Sequence, residues 1–220
     1  MYSTSEENYI KCIYHLQEAS GNVSTNDIAA AIQTKPASVT DMLKKLEAKE
    51  LLLYQKYHGV KLTPQGLKLA LSIIRRHRLW EFFLVSHLQF RWDEVHEIAE
   101  QLEHIKSEQL VEKLDAFMGH PKFDPHGDPI PDGKGKIKFQ AKINLLEAKL
   151  GQDYEVCAVS DQSNAMLEML SQKHLQIGSK IIIKKKFPFD QSMELEIADA
   201  VISISKQLAE HLFVKPKNHD

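Results

Sequence analysis

The first 63 residues constrain the fold most strongly, because three helical patterns separated by two breaks are followed there by a short hairpin pattern. Apolar residues spaced three and four apart predict three helices, the last of them over residues 36–49. Pro36 suits the first turn of that helix, where the N–H that proline lacks would have no partner. Two apolar runs around a loop that contains Gly59 predict the hairpin. This order of elements predicts a winged helix-turn-helix domain over residues 1–63.

The third predicted helix has a polar face that is suited to DNA. In a helix-turn-helix the second helix of the motif presents polar side chains to base edges from its N-terminal end. The hairpin loop could reach a neighbouring groove or the phosphates. The alternative is the solvated face of an ordinary three-helix bundle, but the complete order of elements favours DNA. The predicted DNA-contacting residues are Thr34, Lys35, Pro36, Ala37, Ser38, Thr40, Asp41 and Lys44, with Lys56, Tyr57 and His58 in the loop.

The composition does not by itself indicate a nucleic-acid binder. With 28 Lys and Arg against 30 Asp and Glu, the formal net charge is −2. Phosphate contact depends on the local field at the docking surface, so the distribution of charge outweighs its sum. The first residues lack a basic region followed by an apolar segment, and no apolar run reaches the roughly 18 residues that a membrane helix needs. We therefore expect a cytoplasmic protein without a membrane segment.

The middle of the chain, residues 64–131, is predicted to form a helical domain that binds metal and dimerises. Its pattern contains at least three helical segments, with breaks near residues 90–92 and 106–107. Residues 79–88 carry more apolar surface than one helix can bury internally, which predicts a homodimer. A two-fold dimer of this kind would bind a palindromic DNA operator.

The last third of the chain is predicted to form a separate small domain. A stretch rich in proline and glycine, residues 119–135, cannot continue a helix and predicts a linker or an ordered loop. Beyond it, strand patterns cover residues 154–159, 180–184 and 193–197, and a helical pattern covers 164–173. Residues 138–220 therefore predict an α+β or barrel-like domain.

Side chains that bind metals form a stripe on the helix predicted at residues 93–105. Plotted at 100° per residue, His96, Glu100, Glu103 and His104 share one arc beside the apolar arc. The spacing Glu-x-x-Glu-His places three ligand-type groups within one turn, as a site for Mn²⁺, Fe²⁺ or Zn²⁺ requires. The alternative for this stripe is a solvated helix face.

A second pair, on the preceding helix, favours metal. His77 and Glu81 stand four residues apart on a face that is otherwise apolar, and a buried carboxylate without a cation is destabilising. Arg75, Arg76 and Arg78 are alternative partners for this carboxylate. The spacing of the imidazoles and carboxylates favours metal over arginine.

These motifs resemble those of the diphtheria-toxin-repressor family of iron- and manganese-dependent regulators. The resemblance is highly specific over residues 5–131, whereas residues 138–214 look like the family's SH3-like C-terminal domain by pattern alone. It is carried by residues 7–10, Val39-Thr40, 54–66, Arg76-His77-Arg78-Leu79, Val95-His96, Glu100-x-x-Glu103-His104 and 125–131. It implies a mainly α N-terminal region, with a winged helix-turn-helix and a helical dimerisation domain, followed by a small α+β SH3-like barrel domain.

The resemblance also implies two metal sites. The first would use Asn8 together with Glu100, Glu103 and His104. Family members carry Met or Asp at position 8, and Lys11 stands where manganese-type members can have another carboxylate. The second site would use His77, Glu81 and His96, with Asp161 from the C-terminal domain and with His126 and Asp124 from the loop. The alternative role for Asp161 is that of a helix N-cap.

The resemblance indicates which metal is bound through the identity of one residue, Glu100. Iron-responsive relatives have Cys where this chain has Glu100, and the oxygen-rich site that results suits Mn²⁺. We therefore expect a metal-dependent DNA-binding transcriptional regulator, in the simplest case a repressor of metal-homeostasis genes that Mn²⁺ activates. Fe²⁺ is the alternative metal.

Two other classes of protein remain as alternatives. A di-metal hydrolase would use two clustered sites to activate water, but it leaves the winged helix-turn-helix unexplained. A metal-independent module that binds DNA or a partner would use the His/Glu stripe for surface salt bridges only. Treatment with a chelator separates this module from a metal sensor, because only the sensor should lose DNA binding.

Overall fold

The computed structural model describes residues 2–55, 59–198 and 200–217. The chain forms two compact units, and each unit is assembled from separate stretches of sequence. Unit 1 comprises Met1–His77, Glu100–Ala116 and Pro131–Ile137. Unit 2 comprises Arg78–Ala99, Phe117–Ile130 and Lys138–Asp220.

Unit 1 begins with the predicted helix-turn-helix and hairpin. The elements are α1 (Thr4–Ser20), α2 (Thr25–Ala31), α3 (Pro36–Glu47), β1 (Leu52–Gln55) and β2 (Gly59–Leu62), and the two strands pair antiparallel. Ser3 and Ser24 begin the first two helices with capping boxes, which satisfy backbone N–H groups at the helix start. This is the order of elements that the sequence predicted, and the domain boundary at residue 63 stays a prediction. The loop residues Lys56, Tyr57 and His58, which were predicted to contact DNA, lie outside the described residues.

The apolar stripes of these helices meet in one core. Ile10 and Ile13 of α1, Ile28 of α2, and Val39 and Leu43 of α3 are fully buried. Burial of aliphatic side chains is the main stabilising contribution in such a small bundle. The same packing turns the opposite face of α3 to solvent.

The middle of the chain contains the three predicted helices, α4 (Pro64–Ser86), α5 (Val95–Leu102) and α6 (Glu108–Phe117). The start of α4 packs closely against the segment that connects α3 to β1. A Cβ atom at Gly66 would lie 1.9 Å from the carbonyl oxygen of Leu51, so only glycine permits this approach. Among the described residues, no helix combines the length and the apolarity that crossing a membrane requires.

Unit 2 contains an antiparallel sheet with two helices. Its elements are β3 (Ile143–Asn144), β4 (Asp153–Val159), α7 (Asn164–Gln172), β5 (Lys180–Lys186), β6 (Met193–Ile197), β7 (Ala200–Ile204), α8 (Lys206–Glu210) and β8 (Leu212–Pro216). The six strands are ordered β3-β8-β4-β5-β6-β7, so β3 and β7 form open edges. The α+β prediction is confirmed, whereas the closed SH3-like barrel is not.

The loop between α6 and β3 is ordered where it lies against β4. Gly127 has φ +87°, and a Cβ atom there would lie 2.0 Å from the carbonyl oxygen of Cys157. The backbone N–H of Val159 donates to the carbonyl of His126 at 3.0 Å. Asp124 Oδ1 accepts from the backbone N–H groups of His126 and Asp128, at 2.8 and 2.9 Å. These bonds fix the positions of Asp124 and His126.

Candidate metal centres and DNA-binding face

Unit 2 brings three predicted ligands together in its interior. Glu81 of α4 and the loop residues Asp124 and His126 are all buried. One ligand-type atom from each lies within 4.8 Å of the other two. We call these three residues the interior cluster.

The tautomer of His126 follows from its hydrogen bond. His126 Nε2 lies 2.9 Å from the carbonyl oxygen of Trp92, and because a carbonyl can only accept, Nε2 carries the hydrogen. In the neutral imidazole the lone pair is therefore on Nδ1. This atom is buried without a hydrogen-bond partner among the described residues, 3.7 Å from Glu81 Oε2. Metal-binding histidines have their tautomer fixed by such a hydrogen bond from the other ring nitrogen.

The interior cluster has more carboxylate than cation around it. Burial, and then the charges of Glu81 and Asp128, raise the pKa of Asp124. Burial lowers the pKa of His126, but the carboxylates of Glu81 and Asp124 outweigh it and raise the pKa. The nearby cation is Arg78, whose Nε lies 3.5 Å from Asp124 Oδ2. The oxygen and imidazole donors therefore fit a divalent cation.

Two further predicted ligands of this site lie in unit 2. His96 Nδ1 is 3.4 Å from Glu81 Oε1, beside the interior cluster. Asp161 is not one of the three residues of the cluster, and its Oδ1 accepts from the backbone N–H of Ser163 at 2.9 Å. Ser163 is itself the N-cap of α7, so the N-cap alternative for Asp161 is wrong. The role of Asp161 as a ligand stays a prediction.

Unit 1 brings the other predicted ligands around a lysine. Lys11 Nζ lies 2.5 Å from Glu100 Oε1 and 2.7 Å from Glu103 Oε1. His77 Nδ1 lies 2.7 Å from Glu103 Oε2 and 3.9 Å from Glu100 Oε1. Burial would raise the pKa of Glu103, but His77 and Lys11 lower it. We call Lys11, His77, Glu100 and Glu103 the head cluster; the sequence predicted two of its members as ligands of the first site and His77 as a ligand of the second.

Glu7 is a buried carboxylate beside the head cluster that the sequence pattern did not indicate. Glu7 Oε2 lies 2.6 Å from His104 Nδ1, and Glu7 Oε1 lies 3.4 Å from Lys106 Nζ and 3.7 Å from Arg76 Nη2. Arg76 Nε also donates to the carbonyl of Glu103. Glu7 stands in the first turn of α1, where a glutamate ordinarily faces solvent and interacts with the helix dipole, so its pattern did not indicate burial.

Asn8 is the remaining predicted ligand of the first site. Its Oδ1 is buried and has no hydrogen-bond partner among the described residues. A buried amide oxygen without a donor is destabilising, so this atom is suited to accept a ligand. Asn8 and Lys11 are three residues apart on α1 and therefore share a face of the helix.

The exposed face of α3 carries the predicted DNA contacts. Val39, Leu43 and Leu46 are buried, which leaves the opposite side of the helix to solvent. Thr40 is partly buried, and its hydroxyl donates to the carbonyl of Pro36 at 3.1 Å. The exposed members of the predicted set are Lys35, Pro36, Ala37, Ser38, Asp41 and Lys44, and Thr34 is partly buried. Their contact with DNA stays a prediction.

Three family models match successive parts of the chain. The N-terminal DNA-binding domain of iron-dependent repressors matches residues 1–60. The metal-binding and dimerisation domain of the same repressors matches residues 63–132. The FeoA domain matches residues 143–216.

Individual proteins with known names or structures are similar over longer stretches. The HTH-type transcriptional regulator MntR of Bacillus pumilus is 37% identical over 114 residues, which are 52% of this chain and 78% of that protein. A solved manganese-dependent transcriptional repressor in complex with manganese is 31% identical, with 96% of this chain and 100% of that chain covered and a TM-score of 0.83. The structure of ScaR with bound Zn²⁺ is 37% identical, with coverage of 96% and 99% and a TM-score of 0.75.

Proposed function

This chain belongs to the diphtheria-toxin-repressor family of metal-dependent transcriptional repressors, and on that premise we propose that Mn²⁺ is the ion that activates it. The family models describe a DNA-binding domain and a dimerisation domain, which indicate DNA and a second copy of the chain as partners. Its relatives and its fold are those of regulators and not of enzymes, so the hydrolase alternative is set aside.

The interior cluster carries this proposal. Two buried carboxylates and a buried imidazole nitrogen converge there, and Arg78 approaches the carboxylate of Asp124 only at 3.5 Å. A divalent ion bound at this cluster would add positive charge beside the two buried carboxylates. Glu81, Asp124 and His126 would hold the ion, with His96 beside them.

Asp161 is the proposed fourth protein ligand of the interior cluster. Its neighbour Gln162 donates from Nε2 to Asp128 Oδ2 at 3.1 Å. The loop that carries Asp161 therefore contacts the loop that carries Asp124 and His126. As a ligand, Asp161 would have to exchange its hydrogen bond with the backbone N–H of Ser163 for the ion. We propose that the open sheet of unit 2 is a variant of the SH3-like domain and supplies this ligand.

The preference for Mn²⁺ over Fe²⁺ rests on ligand chemistry and on relatives. Glu100 gives the head cluster a carboxylate, and oxygen ligands suit the harder Mn²⁺ ion. One similar solved structure is named a manganese-dependent repressor and contains manganese. Another, ScaR, has been solved with Zn²⁺. Affinity alone favours zinc over manganese at such sites, so metal availability contributes to the selection of Mn²⁺.

The proposed assembly is a two-fold homodimer on a palindromic operator. A two-fold dimer presents its two copies of α3 in opposite directions, so each copy reads one half of a symmetric site. We propose a cytoplasmic location, because a protein that regulates transcription requires access to DNA.

Binding to DNA in the presence and absence of metal tests the proposed function. The probe is the DNA that the full-length protein selects from a random pool with Mn²⁺ present. We expect binding with Mn²⁺ and loss of binding with a chelator. Glu81→Gln, which removes the charge and keeps the shape, should require a higher Mn²⁺ concentration, whereas the exposed Glu97→Gln on α5 should behave as wild type. Equal binding by wild type with and without metal would instead support the metal-independent module.

A further inference from the structure

The head cluster already contains a cation that belongs to the protein. Lys11 Nζ lies within 2.7 Å of a carboxylate oxygen of both Glu100 and Glu103. The side chain of Lys11 is 12% exposed, so its ammonium group is held in the cluster and not in solvent. The oxygen atoms that a metal ion would use at this cluster are therefore the atoms that Lys11 contacts.

The described charges around Glu103 balance without a further cation. Three carboxylates, Glu7, Glu100 and Glu103, face three lysine or arginine side chains, Lys11, Arg76 and Lys106, and two imidazoles, His77 and His104. Glu103 is fully buried, yet it receives the ammonium of Lys11 and the imidazole of His77 within 2.7 Å. Buried charges are tolerated when they are paired in this way.

The interior cluster has the opposite balance. Glu81 and Asp124 are both buried, and the Arg78 guanidinium lies at 3.5 Å from Asp124, beyond the range of a strong hydrogen bond. The same guanidinium lies 3.2 Å from Asp128. The cation that contacts Asp124 is thus divided between two carboxylates, whereas Lys11 lies directly against the oxygens of Glu100 and Glu103.

We propose that Lys11 competes with metal for the head cluster, so that a divalent ion enters it only by displacing the lysine ammonium. Two cations cannot share the carboxylate oxygens of Glu100 and Glu103, because their mutual repulsion is strong at such short range. The interior cluster fills first, and the head cluster fills at a higher concentration of free metal. The affinity of Lys11 for these carboxylates determines how much higher the metal concentration must be for the head cluster to fill than for the interior cluster. This inference rests on the proposed metal-dependent function.

The pairing has a second consequence within unit 1. Lys11 belongs to α1 and Glu103 follows α5, so their ion pair holds the first helix to the end of α5 in the absence of metal. The metal-free protein therefore keeps the ion pair between Lys11 and Glu103. An ion in the head cluster would replace this ion pair with contacts between the metal and the carboxylates.

Metal binding by two variants of Lys11 tests the competition. Full-length protein is dialysed against a series of free Mn²⁺ concentrations, and bound manganese per chain is measured by elemental analysis. Lys11→Leu removes the ammonium without adding a ligand atom, and Lys11→Arg keeps the positive charge. We expect a tight and a weak class of sites in wild type, with the weak class tightened on the order of 10-fold in Lys11→Leu, a modest electrostatic coupling. Lys11→Arg should match wild type, and an unchanged weak class in Lys11→Leu would overturn the proposal.

A second measurement uses the wild-type protein and does not depend on a variant folding. An amine-acylating reagent is applied at increasing Mn²⁺, and the labelling of Lys11 is quantified by mass spectrometry against that of Lys206, whose side chain is 44% exposed. Displacement predicts that labelling of Lys11 rises as the weak class fills. Constant labelling of Lys11 while both classes fill would contradict displacement.

Glu81→Gln separates failure of this inference from failure of the proposed function. If Glu81→Gln abolishes the tight class while Lys11→Leu leaves the weak class unchanged, only the role of Lys11 is wrong. If wild type and Lys11→Leu both bind no Mn²⁺, the proposed function is wrong together with the inference.

Discussion

Glu6 and Lys49 form an ion pair that joins the first helix to the residues after α3, with Lys49 Nζ 2.6 Å from Glu6 Oε1. Lys45 Nζ lies 3.0 Å from the same oxygen, and the backbone N–H of Ser3 donates to Glu6 Oε2 at 2.9 Å. Burial alone would raise the pKa of Glu6, but the hydrogen bonds from Lys49, Ser3 and Lys45 lower it to about 2. Glu6 therefore helps to hold α3 against α1.

Glu6→Gln should lower the free energy of unfolding by roughly 1–3 kcal/mol at neutral pH. The figure is below what the pKa shift alone suggests, because both lysines are more than a third exposed and solvent screens the pair. Urea denaturation measures the change, and the exposed Glu18→Gln on the same helix is the control. Equal midpoints for the two variants would contradict the role of Glu6.

The same pair predicts a dependence on pH. The pKa of Glu6 lies below its ordinary value of 4.5 in the folded protein, so the stabilisation is present above pH 4.5 and is lost as the pH falls towards about 2. The difference in unfolding free energy between wild type and Glu6→Gln should therefore shrink over this interval. A difference that stays constant down to the acid limit would show that the carboxylate charge is not its source.

Asp124→Asn should have opposite effects with and without metal. The amide keeps the oxygen that accepts from the backbone of His126 and Asp128, while it removes one of the crowded negative charges. In chelator we expect a melting temperature equal to or above that of wild type. In Mn²⁺ at about 100 times the dissociation constant, wild type should gain roughly 2.7 kcal/mol and the variant much less.

Thermal melts of wild type and Asp124→Asn in chelator and in Mn²⁺ measure both effects of the substitution on the melting temperature. Asp153→Asn, in β4 and outside the interior cluster, is the matched control and should respond to Mn²⁺ as wild type does. A variant that loses stability in chelator and gains as much as wild type in Mn²⁺ would remove Asp124 from the ligand set.

Substitutions on α3 should separate base contacts from phosphate contacts. Lys44→Gln should weaken binding to all DNA sequences alike and reduce the salt slope by about one, because an exposed lysine contributes by neutralising phosphate. Thr40→Ala should instead change the preferred sequence. Binding to a panel of DNA sites at several salt concentrations measures both effects, with Lys206→Gln as the control. Unchanged preference and unchanged salt slope would argue against α3 as the reading helix.

Phe117 is expected to contribute to the dimer contact. It is 68% exposed at the end of α6, where its ring lies 6.4 Å from that of Phe83 and 5.1 Å from that of His87. Phe117→Lys should shift the protein from dimer to monomer at micromolar concentration, because a charged group disfavours burial in an apolar interface. Sedimentation measures the shift, and Phe189→Lys, at a fully exposed loop position, should leave the dimer intact. A dimeric Phe117→Lys protein would place the contact elsewhere.

The elements that the sequence predicted best are those with a strong local period. The apolar spacing of α1 and α3 marks their buried faces directly, because each face repeats within one or two turns. β4, β5 and β6 were found for the same reason. β8 was missed. It is a short strand that pairs with β4 and, through Phe213 and Val214, with β3, and such pairing joins residues far apart in sequence. The open edges of the sheet were not predictable from alternation within any one strand.

The sequence by itself determined the order of elements in the winged helix-turn-helix and the kinds of side chain available for metal, because both follow from local sequence patterns. The spacing of His96, Glu100, Glu103 and His104 predicted a shared helix face, although α5 ends at Leu102 and the last two residues follow it. Only the tertiary structure decided their partners, through contacts such as that between Lys11 and Glu103, which are separated by 92 residues. It also paired His104 with Glu7 and brought Glu81, Asp124 and His126 together. The physical reason is that burial and charge balance depend on contacts between residues far apart in sequence. A local sequence pattern does not specify those contacts.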